Sequence, residues 1–175
     1  APRKGAVLAI ALLLGLAVGV AGVLAKHALD HGVEDPDVLE RALGIPVISS
    51  IPHSAGQVSE EEDARRGRRA PAILAAHDPR DLAVESLRSL RTSIQFALVE
   101  APNAIVTVCG PAPGVGKSFV TANLAHLLAE AGKRVLVIDA DLRRGHLHRH
   151  FALERGRGLA DLVTGEASAQ EVVRA

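Results

Sequence analysis

The longest apolar stretch of the chain lies close to its first residue. Gly5–Ala25 contains no charged or polar side chain, and its 21 residues would form a helix of about 31 Å, long enough to cross a bilayer. The pattern predicts a transmembrane helix over 5–25, in preference to a buried core helix or a signal peptide. Residues 1–4 would then be an extracytoplasmic remnant.

Residues 26–77 are predicted to form a juxtamembrane segment and linker. Pro36 opens a short helix that Gly44 ends. The proline-bounded stretch 45–52 favours a short strand at a sheet edge. Residues 54–70 combine an acidic block, a basic block and almost no apolar side chain, which is typical of a solvated linker; contact of the basic block with anionic lipid is the less favoured alternative.

Beyond the linker, two stretches repeat apolar side chains at the helical period. The first, residues 79–100, is predicted to begin after an N-cap at Asp78. Its apolar stripe consists of Ala83, Leu87, Leu90, Ile94 and Ala97. The second, residues 119–131, is predicted to end at Gly132. A shorter helix is expected over 158–163.

Short β-branched runs precede the second of these helices and follow it. Ala104–Cys109 and Val135–Ile138 are each typical of a strand that is buried on both faces. Strands that alternate with helices predict an α/β fold with a mainly parallel sheet. Cys109 is the one cysteine of the sequence, and we interpret it as a small buried residue.

The break between the first strand and its helix contains the candidate chemistry. Its glycines let backbone N–H groups approach a phosphate, and the helix start adds its positive dipole. Lys117 adds a charge, and Ser118 is placed to ligate Mg²⁺. The loop is atypical, because Pro111 stands where the pattern G-x-x-x-x-G-K-[ST] has its first glycine. The stretch nevertheless predicts a phosphate-binding loop.

Two carboxylates follow the second strand. Asp139 and Asp141 occupy alternate positions, so they point the same way at the carboxyl edge of the predicted sheet. Beside a triphosphate, such a pair can hold Mg²⁺ or accept a hydroxyl proton. Since ATP and GTP are cytosolic, we expect this domain in the cytoplasm, although the charges that flank 5–25 slightly favour the opposite orientation. The neutral net charge gives no support for nucleic-acid binding.

Together and in this order, the motifs resemble the bacterial tyrosine kinases that are fused to a polysaccharide copolymerase and control capsule or exopolysaccharide chain length. The resemblance covers nearly the whole chain. It rests on the apolar span and on EDPDVLERALGIPVISSIP, ESLRSLR, PAPGVGKS, VLVIDADLRR and GLADLVTG. It implies an inner-membrane enzyme that uses MgATP to phosphorylate tyrosines of neighbouring subunits, and so regulates polysaccharide polymerisation and export.

The resemblance also assigns roles to individual residues. The implied ATP-binding residues are Gly114, Val115, Gly116, Lys117, Ser118 and Phe119. Ser118, Asp139 and Asp141 would bind Mg²⁺, and Lys117 and the two aspartates would be catalytic. The residues implied in joining kinase domains in a ring are Glu85, Arg88 and Arg91, for which solvated surface charges are the alternative. Further implied partners are a cognate phosphotyrosine phosphatase and polysaccharide polymerase and export proteins.

Two features of that family are missing from the sequence. There is no later strand ending in Asp-Ser/Thr-Pro-Pro, and there is no tyrosine. We therefore expect residues 78–175 to be the N-terminal part of a kinase domain within a longer protein. Such a piece alone is expected to be unable to phosphorylate itself.

Three alternatives stay open at this point. A partition or positioning ATPase has the same kind of loop, but usually with a second lysine that the region from Gly110 to Pro113 lacks. A chain-length regulator whose nucleotide domain only gates assembly would share the fold and partners. His146, His148 and His150 alternate, which suggests a zinc site, but their position after the second strand favours a surface loop or helix start.

Overall fold

The computed structural model describes residues 4–29, 36–59 and 73–174, with the side chains of 6–10 and 25–29 outside the described set. The chain divides into two compact units, Ala1–Val47 and Ile48–Ala175. The boundary predicted from sequence between residues 77 and 78 therefore lies within the second unit.

The first unit contains helices α1 (Lys4–Leu29) and α2 (Pro36–Leu43). The helix predicted over 5–25 is present in α1, and its described side chains at 11–24 are exposed. Within the described parts of the chain, no helix is both long and apolar enough to cross a membrane. The structure therefore does not support the predicted membrane span.

Helix α2 confirms the prediction of a short helix that starts at Pro36. Gly44 follows it with a φ of 66°, and its N–H donates to Glu40 O at 2.8 Å. The Glu40 carboxylate in turn accepts from Val47 N at 2.5 Å. These bonds account for the end of the helix and for the direction of the chain after it.

The second unit begins with a segment that packs along a later helix. Ser49 Oγ donates to Ser86 O at 3.2 Å, and Ser54 Oγ donates to Asp81 Oδ2 at 2.6 Å. Residues 55–59 are helical and form the described part of α3, in which Gln57 is buried. The edge strand predicted over 45–52 is therefore wrong. The solvated linker predicted over 54–70 is wrong for residues 54–59, and residues 60–70 lie outside the described residues.

Three helices supply the core of this unit: α4 (Leu74–His77), α5 (Leu82–Val99) and α6 (Lys117–Glu130). The two long helices confirm the predicted ones with shifted ends. Asp81 rather than Asp78 is the N-cap of α5, and its Oδ1 accepts from Ala83 N at 2.7 Å. The buried cluster between the helices comprises Leu74, Ala75, Ala83, Val84, Leu87 and Leu127.

Neither of the two predicted strands is present in the structure. Residues 104–109 and 135–138 carry no regular secondary structure, and no strand occurs in the described ranges. The side chains on both faces of a parallel strand are normally buried, and in these two segments they are not. Ile105 is 75% exposed and Leu136 is 65% exposed, and Cys109, predicted to be buried, is also exposed.

The rest of the unit consists of short elements. A 3-10 helix spans Leu147–Phe151, and it is followed by α7 (Leu159–Thr164) and α8 (Ala169–Val172). Helix α7 confirms the helix expected over 158–163. The 3-10 helix confirms that the histidines lie in a loop and helix start rather than in a strand.

Candidate functional site

The predicted phosphate loop has the backbone geometry that such a loop requires. Gly114 and Gly116 have φ angles of 79° and 87°, in the left-handed region that side chains disfavour. Gly116 caps α6, and its carbonyl oxygen accepts from Val120 N at 2.9 Å. The turn therefore brings backbone N–H groups and a helix N-terminus to one place, which is how proteins bind phosphate.

Lys117 and Ser118 are the first two residues of α6. Lys117 Nζ donates to Ala112 O at 2.7 Å, so its ammonium lies over the loop that precedes it. A Cβ atom on Gly110 would lie 2.9 Å from Val115 Cγ2 and 3.4 Å from Lys117 Cδ. The absence of a side chain at Gly110 thus leaves the space in which the lysine side chain runs.

The two predicted carboxylates organise the loop between residues 139 and 147. Asp139 Oδ2 accepts from Leu147 N at 2.9 Å, and its Oδ1 accepts from Asp141 N at 3.2 Å. Asp141 Oδ1 accepts from Arg144 N at 2.9 Å and from Arg143 N at 3.1 Å. Both aspartates are therefore held by backbone N–H groups, although neither ends an assigned strand.

The loop meets the start of α6 through His146. Its Nε2 lies 3.4 Å from Ser118 Oγ, and its Nδ1 lies 2.8 Å from Arg144 O. Sequence reasoning noted His146 only as part of a histidine cluster and did not connect it with Ser118. The only available signal was its position five residues after Asp141.

Ser118, Asp139 and Asp141 supply oxygen atoms of the kind that Mg²⁺ prefers. The backbone N–H groups of Arg144 and then Arg143 hold the pKa of the Asp141 carboxyl below its ordinary value of 3.8, so this carboxylate is ionised at neutral pH. Mg²⁺ takes oxygen ligands, and it is usually held by one or two protein groups together with phosphates and water. The described residues contain no group of three or more His, Cys, Asp or Glu side chains suited to a metal, and a Mg²⁺ site of this kind does not require one.

The loop and both aspartates border one broad open cavity of about 2390 Å³. This volume exceeds the roughly 300 to 1,000 Å³ of an ordinary ligand pocket, because the cavity also runs along the exposed segments 104–109 and 133–138. Of the predicted ATP-binding residues, the cavity is bordered by Gly114, Gly116, Lys117, Ser118 and Phe119. Val115 does not border it, and Phe119 also packs against the core. These binding roles stay predictions.

The three residues predicted to join subunits lie on α5, but they do not share one environment. Arg88 Nη1 lies 3.2 Å from Glu85 Oε2 and also donates to Pro79 O at 2.8 Å. Arg91 Nη1 instead donates to Leu127 O of α6 at 3.1 Å. Glu85 and Arg88 are therefore near the surface, whereas Arg91 joins two helices of its own unit.

Comparison with known proteins supports a P-loop nucleotide-binding fold. Residues 106–157 match the family described as the CobQ/CobB/MinD/ParA nucleotide binding domain. The solved BceF tyrosine kinase domain is 49% identical, with a TM-score of 0.75 over 83% of this chain and 58% of that chain.

Curated relatives are similar over almost the whole chain. The putative tyrosine-protein kinase EpsB of Ralstonia solanacearum is 44% identical over 172 residues, which are 98% of this chain and 23% of the relative. The tyrosine-protein kinase ptk of Acinetobacter johnsonii is 43% identical over 174 residues, which are 99% of this chain and 24% of the relative. The chain thus spans about a quarter of the curated relatives it matches, and these homologues are named tyrosine-protein kinases.

Proposed function

We propose that this chain is the nucleotide-binding part of a protein-tyrosine kinase that transfers a phosphoryl group from MgATP to tyrosine. One observation carries the proposal: Lys117 and Ser118, after the glycine loop, border the same cavity as Asp139 and Asp141. Homology to proteins named tyrosine-protein kinases supports it further. The chain itself has no tyrosine, so the phosphate acceptor must come from elsewhere.

The chemistry follows from the charge that develops during transfer. The tyrosine oxygen forms a bond to the γ-phosphorus as the bond to ADP breaks, and negative charge spreads over the transferred group. Backbone N–H groups near Gly114 and Gly116 and the ammonium of Lys117 would stabilise that charge. Ser118, Asp139 and Asp141 would hold Mg²⁺, which neutralises phosphate charge when bound, and one of the aspartates would take the tyrosine proton.

The activity can be tested on the full-length protein. After incubation with MgATP, phosphotyrosine is measured by mass spectrometry. We expect Lys117→Met to abolish the signal, while Arg80→Met, at an exposed cationic residue that does not border the cavity, keeps it. Equal phosphotyrosine in the parent and in Lys117→Met would refute the proposal.

The same assay separates the two other classes of protein. A parent that binds MgADP but never forms phosphotyrosine would favour a regulator whose nucleotide domain only gates assembly. ATP hydrolysis without phosphotyrosine would favour a partition or positioning ATPase. The names of the relatives favour the kinase.

We further propose that subunits assemble side by side through α5 and phosphorylate one another. Glu85 and Arg88 suit this role, because the Glu85 side chain is 69% exposed and Arg88 is 31% exposed. Exposed ion pairs contribute only about 0 to 1 kcal/mol each, so such contacts would be weak and salt-sensitive. Arg91 is a poorer candidate, since its guanidinium contacts α6.

Charge reversal at Arg88 tests this assembly. Arg88→Glu should lower the oligomer fraction in analytical ultracentrifugation and the phosphotyrosine level, while ADP binding is retained. Arg80→Glu, at an exposed arginine just before α5, serves as the control. If the oligomer and phosphotyrosine of Arg88→Glu both match those of the parent, Arg88 is only a solvated charge.

The cellular setting is proposed on the sequence resemblance alone. It comprises the bacterial inner membrane with the kinase part in the cytoplasm, a cognate phosphotyrosine phosphatase, and polysaccharide polymerase and export proteins. Fractionation of cells that express the full-length protein, with and without residues 5–25, would test the membrane location. Recovery of both forms in the soluble fraction would contradict it.

A further inference from the structure

His146 lies between the two halves of the candidate site. Its ring reaches Ser118 Oγ through Nε2 at 3.4 Å and Arg144 O through Nδ1 at 2.8 Å. Ser118 is the second residue of α6, and Arg144 belongs to the loop that Asp139 and Asp141 organise. A single imidazole therefore connects the phosphate-loop helix to the carboxylate loop.

The chemistry of the partners determines the direction of both hydrogen bonds. The carbonyl oxygen of Arg144 can only accept, so Nδ1 of His146 carries the proton. In the neutral ring, Nε2 is then an acceptor, because the bond made by one ring nitrogen determines the state of the other. With the ring in this form, Ser118 donates its hydroxyl hydrogen to His146. The lone pairs of the Ser118 oxygen then point away from His146.

We propose that His146 is a positioning residue that orients the Ser118 hydroxyl for Mg²⁺. A serine ligates a cation through its oxygen lone pairs, so a fixed acceptor for its hydrogen keeps those lone pairs available. Groups that orient metal ligands in this way typically change metal affinity by about 10- to 100-fold when they are removed. The inference rests on the proposed nucleotide site and adds to it a residue for which no role was expected.

The surroundings of His146 hold it in this position. Asp139 Oδ2 accepts from Leu147 N at 2.9 Å, immediately after the histidine. Asp141 Oδ1 accepts from Arg144 N at 2.9 Å, which fixes the residue whose carbonyl oxygen meets Nδ1. The aspartates thus have a structural effect that precedes any metal binding: they place His146 against Ser118.

Three substitutions separate the two hydrogen bonds of the ring. His146→Gln places an amide oxygen near the position of Nε2 and can still accept from Ser118. His146→Asn keeps a donor near the position of Nδ1 but loses the acceptor, and His146→Ala loses both. His148→Asn is the matched control, because His148 lies in the adjacent 3-10 helix and no contact places it at Ser118.

The measurement is the Mg²⁺ dependence of ADP binding to the full-length protein by titration calorimetry. We expect His146→Ala and His146→Asn to raise the Mg²⁺ concentration needed for half-maximal binding by about 10-fold or more. His146→Gln should recover most of this loss, and binding of ADP without Mg²⁺ should stay unchanged in all three. In a Ser118→Ala background, His146→Ala should have no further effect.

A nitrogen NMR spectrum of the metal-free protein provides a second readout, in which His146 should be the Nδ1–H tautomer. An Nε2–H tautomer, or equal Mg²⁺ dependence in the parent and in His146→Asn, would overturn the inference. Failure of the parent itself to bind MgADP would instead refute the proposed function. The two failures are therefore distinguishable.

Discussion

Arg91 Nη1 donates a hydrogen bond to the carbonyl oxygen of Leu127, across 3.1 Å between α5 and α6. The Arg91 side chain is half-buried, and its buried Nε has no hydrogen-bond partner among the described residues. Leu127 lies in the last turn of α6, where a cation is favoured by the helix dipole. This contact connects the helix proposed for assembly to the helix that carries Lys117 and Ser118.

The first prediction compares the two arginines of α5. Arg91→Ala should lower the free energy of unfolding by about 1.5 to 3 kcal/mol, the usual range for a hydrogen bond to a charged group. Arg88→Ala should cost only about 0 to 1 kcal/mol, because its ion pair with Glu85 and its hydrogen bond to Pro79 O are both exposed to solvent. Urea denaturation followed by circular dichroism suits this 175-residue chain, whose sequence has no tryptophan or tyrosine.

Arg91→Lys refines the comparison. It keeps the charge but loses the planar fork of donors, so its loss of stability should fall between those of the parent and Arg91→Ala. Equal losses for Arg88→Ala and Arg91→Ala would mean that the contact with Leu127 contributes nothing beyond surface charge.

The second prediction concerns Asn123, a polar side chain of α6 with no exposed surface. Its Oδ1 accepts from Ala75 N at 2.8 Å, and its Nδ2 donates to Phe119 O at 2.9 Å. Asn123→Leu keeps the branching at Cγ but leaves the buried N–H of Ala75 unpaired, which should cost about 1 to 3 kcal/mol. Asn103→Leu, at an exposed position, is the control.

Hydrogen exchange tests the same contact at individual backbone amides. In Asn123→Leu the amide of Ala75 should lose protection, while the amide of Ala76, which donates to Ile73 O at 3.0 Å, keeps it. Unchanged exchange at Ala75 would show that the amide finds another acceptor, and the assigned role of Asn123 would be wrong.

Local sequence signals were sufficient for α6, α7 and the phosphate loop. The apolar period and Gly132 predicted α6 to within a few residues, and the Gly-Lys-Ser sequence located the turn at its start. Both features depend on residues within one or two helical turns, so the local sequence is enough to predict them. The same is true of α7, which is capped by Gly165 with a φ of 77°.

Contacts between distant residues were not predictable in the same way. Ser54 looked like part of a polar linker, yet its hydroxyl bonds Asp81 at 2.6 Å and helps to make that aspartate the N-cap of α5. Asn123 looked like an ordinary polar helix residue, and nothing in its neighbourhood indicated Ala75. The strand predictions were wrong for a related reason. A β-branched run indicates a preference for a strand, but it does not show whether other layers cover both faces, as a parallel strand requires.

The third prediction is a pH dependence at the start of α8. Glu171 Oε2 accepts from Ser168 N at 2.7 Å and from Ser168 Oγ at 2.9 Å. These bonds, the backbone one first, lower the pKa of Glu171 below its ordinary value of 4.5. Because the pKa is lowered in the folded state, the contribution of Glu171 to stability is present above pH 4.5 and is lost as the pH falls through the folded value.

Carboxyl-carbon NMR of Glu171 measures this pKa directly. The titration midpoint should lie below 4.5 in the parent, and Ser168→Ala should raise it part of the way back, since only the hydroxyl bond is removed. Thr164→Ala, in the preceding helix, should leave the midpoint where it is. A parent midpoint at or above the ordinary value would contradict the capping geometry.

The fourth prediction concerns the atypical first part of the phosphate loop, where Gly110 approaches Val115 and Lys117. A Cβ atom at Gly110 would lie 2.9 Å from Val115 Cγ2, and a β-branched side chain has little freedom to move away. Overpacking of this kind typically costs about 1 to 3 kcal/mol. The loop relieves this contact by shifting and must return to its position to bind ADP, so Gly110→Ala should weaken ADP binding by about 10-fold, measured by calorimetry.

A double-mutant cycle identifies the cause of that loss. Val115→Ala removes the Cγ2 atom, so Gly110→Ala should weaken binding much less in a Val115→Ala background than in the parent. Gly114→Ala is the control: nothing lies within 4 Å of its added Cβ, but its φ of 79° strains any side chain, and Val115→Ala cannot relieve that strain. If Val115→Ala fails to reduce the effect of Gly110→Ala, the close approach of these two residues does not shape the loop, and Gly110 matters for another reason.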